Sequence, residues 1–180
     1  MANLNSILIA FSASYSDLNL WTLHSSKSEL IVDDTTQGTI FVPAGTADGF
    51  DVKNPTGRPF VLIQIDDRLL PQQKGGQCDG VFVYDESIHL LEFKTNTTTF
   101  DKKHGRTHYN KAISQLRNTI IRFKLAGIRL FTLATEVEAH VCLNNTFPRS
   151  RTSEMNRALK FAADEETKGV VLLFDNEKTI

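Results

Sequence analysis

Asp79, Glu92 and Lys94 are the residues of this 180-residue chain whose types and spacing could do chemistry together. They lie at the ends of two apolar runs, Gly80-Val81-Phe82-Val83 and Ile88-His89-Leu90-Leu91, joined by Tyr84-Asp85-Glu86-Ser87. A turn that short fixes the register of a hairpin. Val83 then pairs with Ile88, Phe82 with His89, Val81 with Leu90, Gly80 with Leu91 and Asp79 with Glu92. Like charges directly opposite one another, with Cβ atoms about 5 Å apart, are destabilising. A divalent cation between them removes the conflict. Strand alternation puts Lys94 on the face of Glu92. Hard cations such as Mg²⁺ or Mn²⁺ bind through carboxylates, water and phosphate oxygens. A metal held this way lowers the pKa of a bound water and polarises a phosphoryl group, and a neighbouring ammonium steadies the charge that grows there. The chemistry is hydrolysis of a phosphodiester. Glu-x-Lys also arises by chance, as a solvated pair on an exposed strand. The opposing Asp79 and the apolar filling of both runs weigh against that reading.

Asp79, Glu92-Phe93-Lys94 and the hairpin between them resemble the PD-(D/E)XK, or restriction-endonuclease-like, nucleases. The resemblance implies that Asp79 and Glu92 hold the metal, that the backbone carbonyl of Phe93 is a further ligand, and that Lys94 serves the attacking water. Cys78 stands where the proline of the motif name would be, a departure shared by many members. In the RecB-like branch the helix after the lysine strand presents a glutamine near the site. Gln115 in Ala-Ile-Ser-Gln-Leu-Arg is similar, with Thr119 where that branch often has an aromatic residue. Members also carry an acidic residue on the first helix, for which Glu29 is the candidate. The implied function is Mg²⁺- or Mn²⁺-dependent cleavage of nucleic acid, DNA favoured over RNA. Many members have lost activity, so a catalytically inactive module that binds nucleic acid or a protein partner stands as the alternative.

The elements that must position these residues follow from periodicity. Residues 180 in number make one compact domain the default. Phe60–Ile65 reads as a buried strand, and Tyr109, Ile113, Leu116, Ile120 and Phe123 mark the apolar face of a helix from about His104 to a stop at Gly127. Leu130–Ala134 and Ala139–Leu143 read as strands, a helix runs from Thr152 to about Glu166, and Val170–Phe174 is a last buried strand. Asp17–Leu30 has helical residues, and Thr39–Val42 is a short strand. The expected fold is α/β, a restriction-endonuclease-like mixed central sheet flanked by helices, with a core over about 60–175 and an N-terminal extension over 1–59.

Charge is segregated. Between Lys102 and Thr135 there are eight Lys and Arg residues and no Asp or Glu, whereas residues 1–101 carry thirteen acidic side chains against six basic ones. Lys102, Lys103, Arg106, Lys111 and Arg122 are the candidate phosphate contacts, since such contacts supply most non-specific nucleic-acid affinity. Arg149 and Arg151 flank a loop that could also reach phosphate. A solvated or internally paired basic face is the bland counterpart. Gly75-Gly76 permits close approach of a ligand to the backbone. His104 and His108 are read as solvated. Cys78 and Cys142 are expected as buried free thiols, which suits a reducing cytoplasm. Ile7–Phe11 is too short for a signal or a membrane span. Cutting both strands of a duplex would favour a homodimer.

Overall fold

A computed structural model describes residues 4–15, 21–25, 28–34, 38–42, 48–65, 69–70, 75–95, 102–144, 147 and 149–180; for 21–24, 28–30, 33, 34, 38 and 102–106 it describes the backbone alone. The described residues form ten strands and four helices. In chain order these are α1 (Leu4–Ser14), β1 (Trp21–His24), β2 (Ser28–Asp34), β3 (Gly38–Val42), β4 (Phe50–Lys53), β5 (Phe60–Gln64), β6 (Gly80–Tyr84), β7 (Ser87–Lys94), α2 (Lys102–Leu125), α3 (Leu130–Leu133), β8 (Glu136–Leu143), α4 (Arg151–Ala163), β9 (Val171–Leu173) and β10 (Glu177–Thr179). Six strands form a mixed sheet in the order β1-β5-β6-β7-β8-β9, and four form a smaller sheet in the order β10-β4-β2-β3.

The β6–β7 hairpin has the register its turn dictates, from Tyr84 opposite Ser87 to Gly80 opposite Leu91. Asp85 takes a positive φ of 44° in that turn, a conformation Asp tolerates better than most residues. Beyond the hairpin the sheet becomes parallel. β7 and β8 run side by side, with Glu92 opposite Val141 and Lys94 opposite Leu143, which requires a long crossover, supplied by α2 and α3. Strands buried on both faces read as near-continuous apolar runs, and all but the last residue of β7 is buried. On one face Ile88 and Leu90 pack with Ala112, Leu116 and Phe123 of α2, and with Ile7 and Phe11 of α1. On the other, Phe82, Leu91, Phe93 and Cys142 pack with Ile31, Phe50 and Val52 of the small sheet. Gly80 permits that approach, because a Cβ there would lie 3.0 Å from Thr39 Cγ2.

Three expectations change. The stretch read as helical between Asp17 and Leu30 forms β1 and part of β2 wherever it is described. Leu23 pairs with Val61 at the edge of the main sheet, and Leu30 pairs with both Val42 and Asp51. Sheet pairing there overrides a weak helical pattern. Leu130–Leu133 is a helical turn rather than a strand, closed by Ala134 N–H on the Leu130 carbonyl at 2.9 Å; a short apolar run does not separate the two by periodicity. Residues 1–59 are not an appended extension. They supply α1 to the main core, one edge strand to the main sheet and three strands to the small one, whose fourth strand, β10, comes from the C-terminus. No helix among the described residues is long and apolar enough to cross a membrane. Cys78 and Cys142 are buried free thiols.

Candidate metal centre

The site is built around the backbone of one residue, Phe93 near the end of β7. Asp79 lies in the bend just before β6, one residue beyond the last paired rung, Gly80 opposite Leu91, and its N–H donates to the same Leu91 carbonyl at 3.0 Å. Its own carbonyl accepts from Ile65 N–H at 3.0 Å and from the Thr39 hydroxyl at 2.9 Å. The backbone is thus fixed from both flanking strands and from the small sheet. The Asp79 carboxylate then takes the place of the next rung of the ladder, accepting the Phe93 N–H at 2.6 Å. At the carbonyl of the same residue, the Lys94 ammonium donates to the Phe93 oxygen at 3.1 Å and also to Glu92 Oε1.

Burial sets the electrostatics of this group. The Glu92 side chain is 0% exposed and that of Lys94 14%, so the pair is a buried ion pair. Such a pair is costly to break from one side, because the remaining charge has no water. The field of both carboxylates reaches across to β8. Burial pushes the Cys142 thiol well above its ordinary value, and Asp175, Asp79 and Glu92 push it further. That thiol is therefore a neutral packing group beside the site.

The donor set of Asp79, Glu92 and the Phe93 carbonyl is all oxygen. It fits a hard cation such as Mg²⁺ or Mn²⁺. Lys94 already bridges two of those three oxygens, Glu92 Oε1 and the Phe93 carbonyl.

Gln115 has a partner in the protein itself. It is buried on α2, and its Nε2 donates to the Gln77 carbonyl at 3.0 Å. Its neighbours on the same stripe do similar work. Asn118 donates to the Gly75 carbonyl at 2.8 Å, Thr119 accepts the Cys78 N–H at 2.8 Å, and Arg122 donates to Gln77 Oε1. This stripe of α2 grips residues 75–78, the segment that delivers Asp79. Gly76, at φ 68°, is pressed so closely on Gln115 that a Cβ would stand 3.0 Å from its Cγ, which accounts for one of the two glycines without a ligand. Gln115 Oε1 is buried with no hydrogen-bond partner among the described residues. Thr119→Val should therefore lower stability by about 1–3 kcal/mol, because it strands a buried N–H. Denaturant unfolding measures this, and an unchanged midpoint would show that the α2 grip on the segment is idle.

The basic segment is partly spent on internal pairing. Arg117 meets Asp164 at 2.9 Å and Lys124 meets Glu166 at 2.8 Å. Arg149 is held by Glu154 at 3.0 Å, while Arg151 is exposed at the start of α4. Lys111 is exposed on α2, next to the turn that holds Lys102, Lys103 and Arg106, whose side chains lie outside the described residues, as does that of His104. Glu29 is on β2, opposite Val52 in the small sheet, and not on a helix. The first helix, Leu4–Ser14, carries no acidic residue.

Sequence reasoning missed a second polar cluster on the opposite face of β7 and β8. His89, Glu138 and His140 are buried together there. Burial lowers His89 to about 4. Burial also works to lower His140, but Asp175 and Glu138 outweigh it and raise the group. Burial raises Glu138, and its hydrogen bonds from His140, His89 and Lys178 hold it well below the carboxylate range. The signal was present as Glu138-x-His140, two residues on one face of a strand, but its partner on β7 becomes visible only with the parallel register.

No protein-family model, curated protein or solved structure matches the chain.

Proposed function

We propose that the chain is a metal-dependent phosphodiesterase of the PD-(D/E)XK type that hydrolyses nucleic acid, DNA favoured. The observation that carries this is that the Asp79 carboxylate accepts the Phe93 N–H while the Lys94 ammonium joins the Phe93 carbonyl to the Glu92 carboxylate. Asp79, Glu92 and the Phe93 carbonyl would hold Mg²⁺ or Mn²⁺, which supplies an acidified water and polarises the phosphoryl group. Lys94 would then be released from balancing Glu92, and its ammonium would serve the phosphoryl oxygens and the attacking water. Gln115 holds the Asp79 segment in place rather than contacting phosphate. Lys111, exposed on α2, would meet the polyanion, with Lys102, Lys103 and Arg106 as the further candidates from the sequence.

A second reading has one observation in its favour. The first helix has no carboxylate to complete the site, and Glu29 belongs to the small sheet. A nuclease-like module that binds nucleic acid or a protein partner without cutting would need none. Incubation with plasmid, linear duplex, single-stranded DNA and RNA, with Mg²⁺, Mn²⁺ or chelator, separates the two. Metal-dependent cleavage of any of these is expected. Binding without cleavage under every metal would leave the module as the account.

A further inference from the structure

We propose that His89, Glu138 and His140 form a second metal site, for Zn²⁺ or a similar first-row transition ion, buried between the two sheets. The parallel register places His89 opposite Glu138 and Leu91 opposite His140, so the three side chains share the face that looks toward the small sheet. Their donor atoms converge. His89 Nδ1 is 2.9 Å from Glu138 Oε2, His140 Nε2 is 3.2 Å from the same oxygen, and the two nitrogens are 3.1 Å apart. Ligand atoms bound at Zn–N and Zn–O lengths stand about 3.3 Å apart on one face of a tetrahedron. Two imidazoles and a carboxylate suit Zn²⁺, Co²⁺ or Ni²⁺ better than Mg²⁺.

Two further features favour a metal over a hydrogen-bonded trio with the same distances. First, ligating histidines direct the other ring nitrogen at a carboxylate. His140 Nδ1 is 2.6 Å from Asp175 Oδ1, and His89 Nε2 faces Glu136 Oε2 at 3.9 Å. In a metal-free trio His89 Nδ1 donates to Glu138, and Nε2 is left as a buried acceptor with no hydrogen-bond partner among the described residues. A metal on Nδ1 moves the proton to Nε2, toward Glu136. Second, a dication would balance the charge without protonating either histidine. Glu136, Glu138 and Asp175 bring three negative charges, and the facing cation is Lys178, 3.1 Å from Glu136 Oε1 and 3.0 Å from Glu138 Oε2. Lys178 plus a divalent ion makes the group neutral. Because Asp175 and Lys178 belong to the C-terminal segment and β10, the ion would tie the small sheet to the centre of the main one.

The site is independent of the proposed hydrolysis and lies on the other face of β7. The test uses the whole chain, stripped with chelator and titrated with Zn²⁺ against a chromophoric chelator, alongside Glu92→Gln, His89→Gln and His140→Gln. Wild type and Glu92→Gln should each take up one tight equivalent and melt several degrees higher; each histidine variant should lose that uptake. Should the histidine variants fail to fold, zinc X-ray absorption of wild type decides: a shell of two imidazoles and oxygen supports the site, and a shell without imidazole overturns it. Failure of wild type to bind Zn²⁺, or loss of binding in Glu92→Gln alone, also overturns it.

Discussion

Lys94→Ala is expected to lower metal-dependent cleavage by about a hundredfold or more, the roughly 3 kcal/mol that a charge-stabilising group contributes in a transition state. The same change is also a stability mutation. Lys94 is the cation beside Glu92, whose side chain has no exposure, and stripping one partner from a buried pair costs about 3–5 kcal/mol. The two effects can be told apart. The lost ammonium also stops competing for Glu92 Oε1 and the Phe93 carbonyl. Mn²⁺ or Mg²⁺ should therefore raise the melting temperature of Lys94→Ala more than that of wild type, while leaving it inactive. The double variant Lys94→Met with Glu92→Gln should recover stability without recovering cleavage, since neither charge remains buried. If Lys94→Ala cuts as fast as wild type, the activity belongs to another site or another protein.

Asp79→Asn is the cleaner disruption of metal binding. The amide oxygen of Asn can still accept the Phe93 N–H that Asp79 accepts at 2.6 Å, so the fold should change little. One of two anionic donors disappears. Cleavage should fall at least a hundredfold, about 3 kcal/mol in the barrier, and the shift of the melting curve by Mn²⁺ should shrink accordingly. An equal shift in wild type and variant would place the ion elsewhere, with the histidine cluster as the next site to examine.

What the sequence revealed of this arrangement was the part encoded locally. A two-residue turn and strict alternation fix every pair from Tyr84–Ser87 to Gly80–Leu91; Asp79 lies one residue beyond the last of them, with its N–H on the Leu91 carbonyl. The apolar stripe of α2 and its stop near Gly127, at φ 85°, are equally local. The small sheet was not legible because its strands are short and partly polar and find partners far away: Glu177–Thr179 pairs with Asp51–Lys53. The same distance hides the role of Gln115. A polar helix stripe looks the same whether it meets phosphate or, as here, the carbonyls of residues 75–77. His89 and His140 come together only through the crossover that sets β7 beside β8, and no pattern within either strand announces it.

In the proposed centre a cation binds at the Phe93 carbonyl with Asp79 and Glu92. Anomalous diffraction at the manganese edge from crystals grown with Mn²⁺ tests it most directly. The account predicts a peak within bonding distance of an Asp79 carboxylate oxygen, a Glu92 carboxylate oxygen and the Phe93 carbonyl, with the Lys94 ammonium moved off that carbonyl. A map with no peak there, and Lys94 still joined to Glu92 and Phe93, would contradict it.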